Sequence, residues 1–255
     1  MLLVLSCLDD APALWFAHAV RQRGVPCTIV TSEVLSFARR RSHRVGMGGV
    51  HSAVELADGT VLDESSVHGV LNRLPAPPDL AWRRASAPER QYAAAELHAF
   101  VMSWLAAMPC PVRNRPSEEC LAGPSPHPLV AAHAASLAGL RVARLELGSA
   151  SAGPVHTALA DAARRAAGAR ARLVQVVCLD GVAVHDSVPA DVRAGIARFA
   201  AAIGAGDALI GVDLLVRDGE WWFAGVTPLP ELRLAGAAIV ERLTSVLQSD
   251  LVGAR

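Results

Sequence analysis

Between Ile210 and Pro230 the chain reads IGVDLLVRDGEWWFAGVTPLP, two apolar runs of strand composition joined at Arg217-Asp218-Gly219. An Asp-Gly pair between such runs is a strong hairpin signal, because both central residues of the tightest hairpin turn take positive φ. The stretch is therefore expected to form two antiparallel strands and, through Pro228 and Pro230, to enter a helix. One carboxylate, Asp213, lies inside the first run between Val212 and Leu214. A charge in such a place needs a partner or a task, since desolvating it alone is costly. The structural reading is a buried acid paired to an Arg or capping a loop; the functional one is a metal ligand.

The first residues follow a different pattern. Leu2 to Leu8 is a nearly unbroken apolar run, as expected of a buried parallel strand. Asp9 or Asp10 can cap a following helix, with Pro12 in its first turn, Leu14, Ala17 and Val20 as its stripe and Gly24 at its end. Pro26 to Thr31 is the next strand, so the chain opens on a right-handed crossover unit. Its first turn, Leu8-Asp9-Asp10-Ala11-Pro12, has no glycine, which argues against a dinucleotide-binding enzyme. Ser36 to Arg44 is a basic cluster read as a solvated loop or helix face, with anion or partner binding as the alternative. Gly46 to Gly49 reads as a flexible connection. Val50 to Leu56 and Thr60 to Leu62 flank Asp58-Gly59 as a hairpin.

Val67 to Asn72 is a further buried strand. Arg73 then stands at a carboxyl end of a strand, where open α/β sheets bind ligands; pairing with Glu96 is its structural alternative. Ser86 to Met108 is the longest helical pattern, ended by Pro109-Cys110-Pro111. Arg113, Asn114 and Arg115 follow on a short strand and loop and make an anion site possible. Later elements are helices at 129–138, 155–167 and 192–203, a half-exposed strand from Arg141 to Leu147, and a hairpin around Asp180-Gly181. Leu229 to Leu251 forms a terminal helix with Leu234, Ile239, Leu243, Val246 and Leu247 as its buried face. The Gly/Ser loop from Gly148 to Gly153 can present backbone N–H groups to an anion, but it lacks the Gly-Lys ending of a phosphate loop. His185-Asp186 reads either as an acid/base pair or as a solvated surface pair, since neighbours on a strand face opposite sides. Cys7 and Cys178 would need a base nearby to act as nucleophiles.

All 24 basic residues are Arg, and they balance 24 acids to a formal net charge of zero. That balance gives no argument for a nucleic-acid or membrane surface. A chain without Lys runs no Schiff-base or Lys-dependent phosphoryl chemistry by itself. Five scattered cysteines without paired spacing suggest reduced thiols, and the apolar start has no basic segment before it. The expected location is the cytoplasm.

At the 211–230 hairpin the chain resembles the ATP-grasp superfamily, in particular its glutathione-synthetase-like and peptide-ligase branches. There, an apolar strand with an Asp is followed by a turn and a strand ending in Glu-x-Asn-Pro, and these oxygens hold the magnesium ions that bridge ATP phosphates. Asp213 matches the Asp, Gly225 stands where the Glu belongs, Thr227 stands where the Asn belongs, and Pro228 is kept. Gln175 falls on a strand similar to the one leading to the adenine hinge. Residues 141–153 are similar to a strand and glycine loop that in the superfamily carry a nucleotide-binding Lys. The resemblance implies an α/β fold, with a pre-ATP-grasp-like α/β domain over residues 1–115 and a shortened ATP-grasp-like α+β domain over 116–255. It also implies that most magnesium ligands and both lysines are gone, leaving Asp213 as a vestigial metal ligand.

The expectation is a non-catalytic protein with no cofactor, serving as a binding subunit for a protein or peptide of a biosynthetic pathway, as a possible homo- or hetero-oligomer. The alternative is a ligase or a repurposed enzyme using ATP and Mg2+ in a divergent cleft. Its candidate residues are Arg73, Arg113, Asn114, Arg115, Gln175, His185 and Asp213.

Overall fold

A computed structural model describes residues 1–47, 49–117, 120–144, 155–168, 170–184 and 187–249. The chain divides into two compact units, Met1–Gly123 with Ala237–Arg255, and Pro124–Gly236.

The first unit begins with strand β1 (Leu2–Ser6), helix α1 (Ala11–Gln22) and strand β2 (Cys27–Thr31). Every residue of β1 is buried, as its apolar run requires. Asp10 caps α1 by accepting the Ala13 N–H at 3.0 Å, and Pro12 occupies the first turn. The buried stripe of α1 is Ala13, Phe16, Ala17 and Val20; Leu14 faces solvent, one position out of the expected stripe. A short helix α2 (Ser32–Ser36) leads into strands β3 (Arg40–Gly46), β4 (Gly49–Glu55) and β5 (Val61–Leu62), which form their own antiparallel sheet in the order β3-β4-β5. The basic cluster at 36–44 is therefore largely strand, and Gly46 and Gly49 form the last pair of a β3–β4 hairpin.

Strand β6 (Gly69–Asn72), helix α3 (Ala87–Ala107) and strand β7 (Val112–Arg113) complete this part of the chain. The main sheet runs β2-β1-β6-β7, all parallel, with Leu2 to Leu5 of β1 in register with Gly69 to Asn72. Ser86 and Glu89 form a capping box at the start of α3, whose Val101, Trp104 and Leu105 are buried in a core shared with Leu3, Leu5, Val30, Leu62 and Val70.

The second unit is built from helix α4 (Pro128–Leu137), strand β8 (Arg141–Val142), helix α5 (Val155–Ala167), strands β9 (Arg172–Leu179) and β10 (Val182–Ala183), helix α6 (Ala190–Ala202), and strands β11 (Leu209–Arg217) and β12 (Glu220–Thr227). They form a sheet in the order β10-β9-β11-β12-β8, antiparallel except for the β12–β8 pair. The β11–β12 turn is Asp218-Gly219, both at positive φ (51° and 81°), and Asp180-Gly181 repeats the arrangement at β9–β10 with 52° and 72°. That is the geometry the Asp-Gly pairs demand. The core joins Ala131, Ala135, Cys178, Ile196, Ile210 and Val212 to Phe199 and Phe223, which meet edge to face at 5.1 Å between ring centres.

The terminal helical stretch is interrupted. A single 3-10 turn (Leu232–Ala235) precedes helix α7 (Gly236–Leu247), and Gly236 sits at φ 55° between them. The break leaves Leu234 exposed, against its expected burial, while Ile239, Leu243 and Leu247 are buried. A Cβ on Gly69 at the start of β6 would come within 2.2 Å of the Leu247 carbonyl oxygen, so the end of α7 closes directly over that glycine.

Candidate functional site

The alternation of β11 puts Asp213 on one face of the sheet, with Gln175 of β9 directly opposite on one side and Gly225 of β12 directly opposite on the other. Gln175 Nε2 donates to Asp213 Oδ1 at 2.8 Å. The other end of the same amide, Oε1, accepts the Glu231 N–H at 2.6 Å, tying the loop after β12 to β9. Gly211 makes this possible: a Cβ there would lie 2.8 Å from Gln175 Cδ and 3.1 Å from Pro230 Cβ. Among the described residues the hydrogen-bond partner of Asp213 is thus a neutral amide, where pairing to an Arg or capping a loop was the structural expectation. Burial pushes the Asp213 carboxyl up from its ordinary value, and the Gln175 bond offsets only part of that.

On the β12 side, among the described residues, the position facing Asp213 carries no side chain. A Cβ built on Gly225 meets only Asp213 Oδ2, at the ordinary contact distance of 3.8 Å. The β11–β12 register shifts between Asp213 and Leu214, which leaves Ala224 unpaired beside this position. Thr227 uses its Oγ1 to accept the Leu229 N–H at 3.1 Å, within the turn that Pro228 and Pro230 shape.

A hard divalent cation wants several oxygen ligands, usually with more than one carboxylate among them. Here one carboxyl, itself pushed toward its neutral form and hydrogen-bonded through one oxygen, faces a glycine. Among the described residues no group of three His, Cys, Asp or Glu side chains could hold a metal ion. The described residues around Asp213 do not fit the Mg-ATP site that the resemblance implies.

Of the other sequence candidates, Arg73, Arg113, Asn114 and Arg115 lie in the first unit. Arg73 is almost fully buried and pairs with Asp10, Nε to Oδ2 at 2.7 Å and Nη2 to Oδ1 at 3.0 Å. Asp10, the cap of α1, is thus a partner of Arg73. Asn114 is buried at φ 61°, and its carbonyl accepts from Asn72 Nδ2 at 2.8 Å. Arg115 Nη1 donates to the Leu105 carbonyl at 2.6 Å, locking the loop onto the end of α3. Arg113 closes β7 half-buried. His185 and the 148–153 loop lie outside the described residues. Gln175 was legible only as a strand residue: its bridge between Asp213 and Glu231 depends on the β9–β11 pairing and on Gly211, which no local pattern announces.

The fold is shared, over nearly the whole chain and at low identity, with solved structures described as macrocyclases and ATP-grasp ligases. The macrocyclase MdnC bound with precursor peptide MdnA, from Microcystis aeruginosa MRC, matches with a TM-score of 0.72 at 11% identity, over 98% of this chain and 100% of that one. The ATP-grasp ligase PsnB complexed with a phosphomimetic variant of a minimal precursor, Mg and ADP matches with 0.65 at 16%, over 98% of both chains. A RiPP-associated ATP-grasp ligase from Chryseobacterium gregarium, in complex with ADP and a leader and core peptide, matches with 0.62 at 8%, over 100% of this chain and 97% of that one. No protein-family model and no curated protein matches the sequence.

Proposed function

We propose that this protein is a non-catalytic chain of ATP-grasp fold that acts as a binding subunit, for a peptide or a protein, in a peptide-modifying biosynthetic pathway. The observation that carries the reading is the cross-strand pair Asp213–Gly225, in which the position facing the surviving carboxylate has no side chain. Phosphoryl transfer in this fold is mainly positioning plus electrostatic stabilisation of phosphate charge. A chain with neither the second carboxylate at 225 nor any Lys has lost the parts that do this, and Arg does not reproduce the geometry of a Lys. What persists is the frame. Gln175 links Asp213 to the Glu231 backbone, so the former site now works as a structural clasp.

The peptide half of the reading draws on the structural neighbours, several of which carry bound precursor peptides. The alternative, a carboxylate-amine or peptide ligase with a divergent ATP and Mg2+ site, has Asp213 alone on its side. Phosphate release from Mg-ATP, followed with the protein alone and with candidate precursor peptides added, tests the proposal. The expected result is no release above background under either condition. Turnover abolished by Asp213→Asn would overturn it.

A further inference from the structure

The β3–β4 hairpin ends in an apolar tip. Its last cross-strand pair is Gly46 with Gly49, and beside that pair Val45 is 74% exposed, Val50 43% and Met47 fully. Single exposed apolar residues are ordinary on a protein surface, but three at the end of one hairpin form a patch that calls for a partner. In the same unit an open cavity of about 820 Å³ lies between Arg41, near the root of this hairpin, and the first half of α3. Trp82, Tyr92, Leu97 and Phe100 are in its apolar lining, and Tyr92 is 69% exposed. Its charged lining is Arg41, Glu89 and Glu96. Arg41 donates to the Leu35 and Ser36 carbonyls, and Glu89 accepts from Ser86 at the start of α3, so both are engaged within the unit. Glu96 stands exposed at the side of the cavity.

A cavity of this kind suits an apolar group with a cation beside it, and the hairpin tip carries that combination. Of the β3 arginines, Arg40 has Glu55 directly across, whereas Arg44, next to Val45, has His51, whose ring is bonded to Glu64 at 2.7 Å. The tip does not reach its own cavity, because the paired strands hold Met47 away from Arg41 by about 20 Å at a strand's usual rise per residue. A second copy, its hairpin antiparallel to the first, spans that distance in both directions. Each tip then arrives at the other copy's cavity, the self-complementary arrangement of a two-fold dimer. We propose that the protein dimerises by exchanging β3–β4 hairpins. Val45, Met47 and Val50 of one copy fill the Trp82–Tyr92–Phe100 cavity of the other, and Arg44 meets Glu96. The inference goes beyond the reading of the protein as a peptide-binding subunit and does not depend on it.

Sedimentation velocity of the full chain across micromolar concentrations tests the exchange. The wild type should pass from monomer to dimer as concentration rises. Met47→Asp and Tyr92→Ala lie at exposed positions on different elements, so either one carries the test if the other fails to fold. Each should weaken dimerisation by about tenfold or more. Arg44→Glu should do the same, and adding Glu96→Arg to it should restore the dimer, a rescue that a merely structural role for either residue would not give. A monomer at every concentration overturns the proposal. So does a dimer that keeps its affinity in Met47→Asp and Tyr92→Ala, or one that the charge swap leaves broken. Assembly that grows past the dimer without limit means head-to-tail contacts and overturns the two-fold exchange. The measurement is made without nucleotide or peptide, so its failure leaves the proposed function standing, and Asp213-dependent Mg-ATP binding would sink that function and leave this surface in place.

Discussion

At Asp213 the fold holds a carboxyl group that pays for its burial without the countercharge that would repay it. Below the ordinary aspartate range the group is protonated in both folded and unfolded chains and costs nothing. As pH rises, the unfolded chain releases the proton first while the folded chain retains it, so stability falls until the folded group also ionises. Asp213→Asn keeps an oxygen for the Gln175 amide and removes this slope. Thermal melts from acid to neutral pH should show the variant gaining on the wild type as pH rises; parallel curves would contradict the assignment. The facing position gives the complementary experiment. Gly225→Glu is sterically open, and it sets two carboxylates directly across a strand pair, a destabilising arrangement of about 1 kcal/mol in chelator. Millimolar Mg2+ should recover that loss, in urea or thermal unfolding, if this position is where the second metal ligand once stood.

Among the elements, the Arg73–Asp10 pair links the strand end of β6 to the start of α1. Asp10 both caps α1 and accepts two bonds from a nearly fully buried guanidinium. Arg73→Ala leaves that carboxylate without its countercharge, and removing one partner of a buried pair costs about 3–5 kcal/mol. Urea unfolding should show this; a loss below about 1 kcal/mol would mean that the pair is solvated. The same region shows what the sequence could reveal. The Asp-Gly turns, the apolar runs of β1 and β11 and the capped helix α3 were legible because local chemistry dictates each one. The β3 strand was not, because Arg40 to Gly46 has no apolar alternation and becomes a strand only by pairing with β4. The break at Gly236 escaped for a similar reason: apolar spacing continues across it while the backbone does not. At the site, sequence spacing brought Gly225 and Asp213 into correspondence. It did not show Gln175 as the partner of Asp213, nor Asp10 as the partner of Arg73, since both depend on residues far apart in the chain.

For the molecule as a whole, the fold is that of solved ATP-grasp ligases, while the sequence holds no Lys and places Gly225 across from Asp213. The described residues include no helix long and apolar enough to cross a membrane, and the formal net charge is zero. Stability should then respond to peptide and not to nucleotide, because only a ligand that binds the folded state raises its melting temperature. The most direct measurement is thermal unfolding of the wild type across a titration of Mg-ATP and Mg-ADP, with Asp213→Asn beside it. Each protein is expected to keep its own melting temperature unchanged at every nucleotide concentration. A saturable rise in the wild type that Asp213→Asn abolishes would contradict it.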